Sequence, residues 1–362
     1  MIKFLNIYKQ DKYLHKNILL KFKTLFKNGN FILGDEVKLF EKNFAKFTNS
    51  KFAVSCGNGT DAITIALKAL NLKNGSEVIL PAMTYCSTIF SVINANLIPI
   101  LADINHLDPS ININEIKQKI SPRTKVIMPV HLYGSTANIR EIKKIIKNKK
   151  IYIIDDCAQA HGAKDNFGNK IGSLTDISTF SLYPGKNLGA YGDAGIITTN
   201  NKKIYKKIML LRNLGSIKKF KHELVGFNSR LDTLQSIILN EKLKKLNSLN
   251  KKRIKIAKFY NQNIINPKII KLNYSKHCVY HQYVILVENR NKFSKFLDKN
   301  NIEYGYHYPK AIHELDVFKK KFKNQRFPNS EIISKNCISL PIDPNLTKNE
   351  INFISKVINE YK

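Results

Sequence analysis

The stretch "FSLYPGKNLGAYGDAG", residues 180–195, places one lysine between an apolar run and a group of glycines. Lysine occurs in nearly every polar segment of this chain, yet Lys186 lies where a solvated charge gains little. Pro184 and Gly185 end the apolar run, and the glycines that follow let the backbone pass close to a ligand. A lysine held in such a pocket can lose its proton and attack a carbonyl carbon. By itself the stretch is equally compatible with an ordinary lysine in a surface turn.

Around this stretch, short runs rich in Ile and Val alternate with longer helical patterns. Seven of these runs predict buried strands, at residues 51–56, 77–80, 98–103, 125–130, 151–155, 177–182 and 195–199. Strands that alternate with helices predict an α/β fold with a mostly parallel sheet. Ligands in such sheets bind where the strands end and the helices begin.

The length of the chain, 362 residues, favours a large domain plus a smaller one. From about residue 232 a long helical pattern predicts a helix that links the two. We therefore predict a large α/β domain over residues 1–245 and a small C-terminal α+β domain over residues 246–362. The first forty residues are expected to pack on the large domain as helices.

The composition excludes several classes of protein. The net charge is +33, but only seven of the 60 basic residues are arginine, the residue on which specific nucleic-acid readers rely. We therefore expect no nucleic-acid partner and attribute the charge to compositional bias. The chain contains no run of eighteen apolar residues and no secretory signal pattern, which predicts a protein without a membrane span. The five cysteines form no C-x-x-C pair, so we expect free thiols in the cytoplasm and no metal site.

A glycine-rich turn follows the first predicted strand, in "SCGNGTDA". Gly57 and Gly59 allow a tight turn, and the N–H groups of Thr60 and Asp61 would then point outward from a helix N-terminus. Such a turn can bind a phosphate. It can equally be an ordinary strand-to-helix connection with Thr60 as the N-cap.

Two carboxylates follow the fifth predicted strand, in "DDCAQAHGA". A buried Asp156 needs a partner, either a protonated heterocyclic nitrogen or an arginine, because an unpaired buried carboxylate is costly. Gln159 lies close enough in a turn to reach the same ligand. His161 can contact that ligand or belong to the core, and Asp155 is expected to cap a helix or form a salt bridge.

The order of these features resembles the fold-type I pyridoxal-phosphate enzymes, and most closely the DegT-type sugar-nucleotide aminotransferases. The resemblance covers nearly the whole chain. It is carried by "SCGNGTDAITIAL", "PAMTYCST", "PVHLYG", "DDCAQAHGA", "FSLYPGKNLGAYGDAG", "LRNLGS", "GFNSRLDTLQSIIL" and "YHYPKAIHE". It implies the fold-type I architecture, with a mostly parallel seven-stranded sheet in the large domain.

The resemblance also implies how the ring of the cofactor pyridoxal 5'-phosphate is held. Lys186 would bind the cofactor aldehyde and later move a proton as the catalytic residue. Asp156 would pair with the pyridine nitrogen, Gln159 would touch the 3-hydroxyl group, and Tyr85 would stack on the ring face.

For the cofactor phosphate, the resemblance implies the backbone of Thr60 and Asp61 together with the Ser181 hydroxyl. Asn228 would reach the phosphate from the neighbouring subunit, so that the active site would be shared within a homodimer. Without the resemblance, Asn228 is an ordinary turn residue and Tyr85 a core aromatic.

The substrate residues that the resemblance implies are His307 and Tyr308 for the sugar, and Lys219 or Arg230 for the diphosphate. The family's usual tyrosine appears here as Phe220. Each of these residues can also be an ordinary core or surface residue.

The implied reaction transfers an amino group, with glutamate as donor, to C3 of a nucleotide-linked 3-keto sugar, typically a 6-deoxy hexose. The product would enter a surface glycan such as lipopolysaccharide or capsule. Alternatives are transfer to C4 of a 4-keto sugar, a 3-keto uronic-acid substrate, and a non-enzymatic regulator that binds the cofactor. A sugar 3-dehydrase is disfavoured because that branch replaces the lysine, and Lys186 is present.

Overall fold

The computed structural model describes all 362 residues. The helices are α1 (Ile7–Asp11), α2 (His15–Asn28), α3 (Asp35–Thr48), α4 (Gly59–Ala69), α5 (Cys86–Asn94), α6 (Ile113–Lys119), α7 (Ile139–Ile146), α8 (Lys202–Leu211), α9 (Thr233–Leu243), α10 (Leu246–Asn263), α11 (Arg290–Lys299), α12 (Pro328–Asn336) and α13 (Lys348–Glu360). The strands are β1 (Phe52–Cys56), β2 (Glu77–Pro81), β3 (Ile98–Ala102), β4 (Ile104–Asn105), β5 (Asp108–Ile111), β6 (Thr124–Ile127), β7 (Tyr152–Asp156), β8 (Ile177–Ser181), β9 (Gly195–Thr199), β10 (Ser216–Lys218), β11 (Lys221–His222), β12 (Ile269–Lys271), β13 (Tyr283–Val287) and β14 (Cys337–Leu340).

Seven strands form one sheet in the order β1-β9-β8-β7-β6-β2-β3. Strand β9 runs antiparallel to both of its neighbours, and the other pairs are parallel. The predicted α/β fold with a mostly parallel seven-stranded sheet is therefore confirmed, and each of the seven predicted runs contains or overlaps one of these strands. Because six strands point the same way, their carboxyl ends meet at one edge of the sheet.

Helices cover both faces of this sheet, since alternate residues of each strand point to opposite sides. Val78 and Leu80 pack with α4 and α5, whereas Ile79 between them packs with α6 and α7. Both faces are therefore buried, which explains why the strands read as continuous apolar runs.

The C-terminal part of the chain has its own core. The antiparallel sheet β12-β13-β14 packs with α10, α11 and α13 around a cluster that includes Tyr260, Tyr283 and Phe293. The helical pattern after residue 232 is two helices, α9 and α10, separated by a turn at Lys244 and Lys245. Leu239 of α9 packs in the core of the large sheet and Ile256 of α10 in the C-terminal core. The predicted boundary at residues 245/246 stays a prediction.

The N-terminal segment contacts both parts of the molecule. Leu14, Ile18 and Leu25 pack against α9, as expected for a segment on the large domain. Ile2, however, pairs with Ile302 and is buried in the C-terminal core. The expectation that the whole segment packs on the large domain is therefore wrong for its first residues.

All five cysteines are free thiols, and only Cys86 is not fully buried. None of the helices combines the length and the hydropathy that a membrane crossing requires.

Candidate active site

A cavity of about 760 Å³ opens at the carboxyl edge of the large sheet. Nine of the residues singled out from the sequence line it, namely Thr60, Asp61, Tyr85, Asp156, Gln159, Ser181, Lys186, His307 and Tyr308. Segments far apart in the chain thus converge on one site, because several strands end at the same edge of the sheet. Asn228, Lys219 and Arg230 are not among the lining residues.

Lys186 lies in a turn that the backbone closes, with its N–H donating to the carbonyl oxygen of Tyr183 at 2.9 Å. Its side chain faces the cavity and keeps some exposure there, while protein surrounds it on its other sides. Burial lowers the pKa of Lys186 to about 8, although the charge of Asp156 opposes this shift. About a tenth of this amine is therefore neutral, and so nucleophilic, at pH 7, far more than for a lysine in water.

Asp156 is buried at the end of β7, and both of its carboxylate oxygens are fixed. Oδ1 accepts a hydrogen bond from the N–H of Ala158 at 3.0 Å, and Oδ2 accepts one from the Thr88 hydroxyl at 2.9 Å. Thr88 is itself 2.9 Å from the hydroxyl of Thr84. Burial raises the pKa of Asp156, and these donors together with Lys186 oppose the rise. A protonated ring nitrogen in the cavity would compensate the buried carboxylate.

The amide of Gln159 is held in one orientation by two partners. Its Oε1 accepts from the N–H of Tyr133 at 2.6 Å, and its Nε2 donates to the Tyr308 hydroxyl at 2.8 Å. One amide hydrogen stays available toward the cavity. The contact of Gln159 with a 3-hydroxyl group stays a prediction.

The glycine-rich turn before α4 has the geometry of an anion site, with one difference from the expectation. Asn58 is the N-cap in place of Thr60, and its Oδ1 accepts from the N–H of Asp61 at 2.8 Å. The N–H of Asp61 is thus already taken, whereas those of Gly59 and Thr60 have no partner in the chain. The open N–H groups of this turn are therefore those of Gly59 and Thr60, while phosphate binding by the backbone of Thr60 and Asp61 stays a prediction.

Ser181 lies directly against this turn. A Cβ atom added to Gly59 would be 2.6 Å from the Ser181 Cβ, so the close approach requires glycine. The Ser181 Oγ accepts a long hydrogen bond of 3.4 Å from the N–H of Tyr183, which leaves its own hydrogen free to donate. Two backbone N–H groups and one hydroxyl therefore point to the same part of the cavity, as phosphate binding requires.

The Asp61 carboxylate connects the turn to the segment that carries Asn228 and Arg230. It accepts from the Ser229 hydroxyl at 2.6 Å, and that hydroxyl in turn accepts from the N–H of Gly57 at 2.9 Å. Arg230 is directed elsewhere, with its guanidinium 3.0 Å from Asn213 Oδ1. Within one subunit the structure therefore does not bring Asn228 or Arg230 into the cavity.

Lys219 is likewise outside the cavity. It lies on the exposed turn between β10 and β11, with its Nζ 5.2 Å from the ring centre of Phe220. The roles of Lys219 and Arg230 at the diphosphate stay predictions.

Aromatic rings form a row along the wall of the cavity. Tyr85 and Tyr308 lie 5.3 Å apart between ring centres, and Tyr308 is 5.6 Å from His307. Phe4 then stacks on His307 at 5.8 Å. Burial and the charge of Lys186 lower the pKa of His307 to about 4, so this imidazole is neutral. Its roles and those of Tyr85 and Tyr308 stay predictions.

Sequence reasoning missed several lining residues, among them Phe4, Thr88, His281 and Gln282. Thr88 ends the quoted stretch "PAMTYCST", so its polar side chain at the start of α5 was an available signal. The other three come from segments whose patterns carry no sign that they reach this cavity.

Three further titratable residues near the site, His131, Asp155 and His161, do not line the cavity. His131 Nε2 lies 3.1 Å from Asp155 Oδ2, and its Nδ1 accepts from the N–H of Ala137 at 3.0 Å. Although burial acts against it, the bond from His131 holds the pKa of Asp155 below its usual range. His161 is buried without a hydrogen-bond partner for its ring and does not line the cavity.

The model of the DegT/DnrJ/EryC1/StrS aminotransferase family matches residues 12–359 of this chain. The chain belongs to this family. A dTDP-3-amino-3,6-dideoxy-α-D-galactopyranose transaminase from Aneurinibacillus thermoaerophilus is 38% identical over 100% of this chain and 99% of its own length. A UDP-2-acetamido-2-deoxy-3-oxo-D-glucuronate aminotransferase from Pseudomonas aeruginosa is 32% identical over 98% of both chains. The structure of S. venezuelae DesV in complex with a ketimine intermediate has a TM-score of 0.96 at 30% identity and covers 99% of this chain and 98% of that one.

As a DegT/DnrJ/EryC1/StrS aminotransferase, the protein is a transaminase that depends on pyridoxal phosphate. The residues present fit this cofactor: a lysine of lowered pKa for its aldehyde, a buried carboxylate for its ring nitrogen, and two open N–H groups beside a serine for its phosphate. When bound, the cofactor ring withdraws electrons from the carbon that carries the amino group. We expect Asp156 to hold the ring nitrogen and the Lys186 amine to move protons, and both roles stay predictions.

Proposed function

We propose that this enzyme transfers an amino group from glutamate to C3 of a nucleotide-linked 3-keto-6-deoxy hexose. The observation that carries the proposal is the 38% identity, over the whole chain, with a transaminase named for a 3-amino-3,6-dideoxy sugar. The cavity supports a neutral sugar, since its lining contains Lys186 but no other lysine and no arginine. The destination of the product in a surface glycan and the cytoplasm as location stay predictions.

A second candidate substrate is a 3-keto uronic-acid sugar. It is favoured by the 32% identity with the P. aeruginosa aminotransferase, which is named for a 3-oxo-glucuronate. A uronate carboxylate buried in this cavity would need a cation, because an uncompensated buried charge is strongly destabilising. Within one subunit the lining offers only Lys186, so the 6-deoxy sugar is the better supported substrate.

We further propose that the working form is a homodimer in which Asn228 completes the partner's phosphate site. Asn228, Lys219 and Arg230 do not line the cavity of their own subunit. The nearby hairpin β10–β11 exposes Phe220 at 87%, and Val225 after it is exposed at 97%. Exposed apolar side chains of this kind are typical of a surface that another subunit covers.

The test begins with an absorption spectrum of the purified protein loaded with pyridoxal phosphate, recorded before and after glutamate is added. Conversion to the amine form of the cofactor identifies glutamate as a donor. The converted enzyme is then mixed with dTDP-linked 3-keto-6-deoxy, dTDP-linked 4-keto-6-deoxy and UDP-linked 3-keto uronic-acid sugars. We expect the spectrum to revert fastest with the 3-keto-6-deoxy sugar. Faster reversion with the 4-keto sugar or the uronate would overturn the proposed substrate and identify the alternative.

A further inference from the structure

The residue after the catalytic lysine has a buried side chain with a complete set of partners. Asn187 is 3% exposed. Its Nδ2 donates to Asn250 Oδ1 at 3.0 Å and to the carbonyl oxygen of Val279 at 3.2 Å. Its Oδ1 lies 3.1 Å from Nδ1 of His281. Asn187 therefore attaches the turn of Lys186 to two other segments of the chain.

The partners of Asn187 extend the connection to the loop that follows Asp156. Asn250, on α10, donates its own Nδ2 to the carbonyl oxygen of His161 at 2.8 Å. His281 lies two residues before β13 and lines the cavity. One buried group of side chains thus joins four elements: the Lys186 turn, α10, the start of β13 and the loop after Asp156.

The hydrogen bonds fix the protonation of His281. The two oxygen partners identify the nitrogen of the Asn187 amide, and the remaining atom, Oδ1, can only accept a hydrogen bond. Nδ1 of His281 must therefore carry the hydrogen. Nε2 is then an acceptor, with Gln282 Nε2 at 3.4 Å. Burial, together with the charges of Lys186 and Arg253, holds the pKa of His281 well below its usual range. His281 is therefore neutral and does not repel a protonated Lys186.

We propose that Asn187 and His281 are positioning residues for Lys186. Their hydrogen bonds fix the backbone turn that carries Lys186, so that the amine stays in the cavity near Asp156. A lysine that moves a proton between two carbon atoms needs a fixed distance to both, and small displacements slow such steps strongly. This inference depends on the transaminase chemistry of Lys186 and not on which sugar is the substrate.

Two variants test the proposal, Asn187→Ala and His281→Ala. Each is loaded with pyridoxal phosphate, and the absorption spectrum is titrated with pH in the absence of any amino donor. The pH midpoint reports the environment of the lysine nitrogen bound to the cofactor. The rate and the concentration dependence of the reaction with glutamate are then measured, together with the Kd of the cofactor-free apo-protein for pyridoxal phosphate.

The matched control is Asn266→Ala. Asn266 is also a buried asparagine, and its Nδ2 donates to the carbonyl oxygens of Ile358 and Tyr361 at 2.9 and 2.8 Å, within the C-terminal core. Its loss is expected to lower the melting temperature about as much as Asn187→Ala, without changing the spectrum. This control separates positioning from general loss of stability.

We expect both test variants to shift the spectral midpoint by at least about half a pH unit and to slow the maximal rate with glutamate at least about tenfold. The half-saturating glutamate concentration should change less than about threefold, since neither residue is proposed to bind the donor. A midpoint and rate equal to those of Asn266→Ala would overturn the proposal. If Asn187→Ala does not fold, the same readouts on His281→Ala decide it.

Discussion

At the scale of the residue, the position of Lys186 accounts for its lowered pKa. A lysine in water keeps its proton until far above neutral pH, but at the floor of this cavity burial lowers the pKa to about 8. The pKa falls because burial removes water from the amine, and this disfavours its charged form. The neutral fraction therefore grows as the pH rises through 8.

This shift predicts the pH dependence of cofactor capture by the apo-protein. The rate at which pyridoxal phosphate becomes bound should rise about tenfold between pH 7 and pH 9, with a midpoint near 8. Rapid-mixing measurements at the absorbance of the lysine-bound cofactor would follow the capture, and Lys186→Ala should lack this absorbance change. A midpoint above 10 would mean that Lys186 is an ordinary exposed lysine.

A second prediction at this scale concerns Thr88, whose hydroxyl donates to Asp156 at 2.9 Å. In Thr88→Val the shape is kept but the buried carboxylate loses a donor, so its pKa should rise further and the protein should lose about 1–3 kcal/mol of stability. We expect unfolding at lower urea concentration and weaker retention of pyridoxal phosphate in dialysis. Thr24→Val, on the exposed face of α2, serves as the control. Equal retention by both variants would contradict a role for Thr88 at Asp156.

The sequence predicted those candidate site residues that lie within continuous motifs. Asp156, Ser181 and Lys186 each lie at or shortly after the end of a predicted strand, so their meeting at one sheet edge could be foreseen. Phe4 and His281 could not, because they reach the cavity through contacts between distant segments that no local pattern encodes.

At the scale of the element, the turn between β1 and α4 is constrained by close packing. Gly59 lies so near Ser181 that a methyl group there would be 2.6 Å from the Ser181 Cβ. The same contact brings the open N–H groups of Gly59 and Thr60 beside the serine hydroxyl. The proposed phosphate site therefore depends on the packing of two strand ends.

Gly59→Ala should consequently weaken binding of pyridoxal phosphate at least about tenfold, because the turn and Ser181 must move apart. Equilibrium titration of the apo-protein measures this affinity. Gly185→Ala provides a comparison within the same cavity, since an added Cβ there meets its nearest atom, Leu5 Cδ2, at 3.7 Å. An affinity loss no greater for Gly59→Ala than for Gly185→Ala would show that the turn adapts.

The elements themselves were predictable to different degrees. The seven buried strands are short apolar runs bounded by turn residues, and the sequence pattern locates all of them. The break between α9 and α10 was missed because Lys244 and Lys245 are good helix formers, so nothing in that stretch predicts an end. The cap at Asn58 was missed because both asparagine and threonine are favoured at that position.

At the scale of the whole molecule, the shared active site is the main proposal, and mixing of two inactive variants tests it. Lys186→Ala lacks the catalytic amine, and Asn228→Ala should lose activity when pyridoxal phosphate is scarce. If Asn228 acts across the interface, subunit exchange creates dimers with one complete site, and about a quarter of the wild-type activity should return. If Asn228 acts within its own subunit, or not at all on the cofactor, mixing restores nothing. Size-exclusion chromatography of each variant checks that dimers form.

The cysteine at the start of α5 offers a way to monitor whether the cavity is occupied. Cys86 is the only cysteine that is not fully buried, and it lies between two residues of the cavity wall, Tyr85 and Ser87. A thiol-specific alkylating dye should therefore label the folded protein once, at Cys86, as intact-protein mass spectrometry would reveal. Because the site of labelling adjoins the cavity, its rate should fall when pyridoxal phosphate fills the space. The native chain thus carries its own attachment point for a reporter of cofactor occupancy, without any engineered residue.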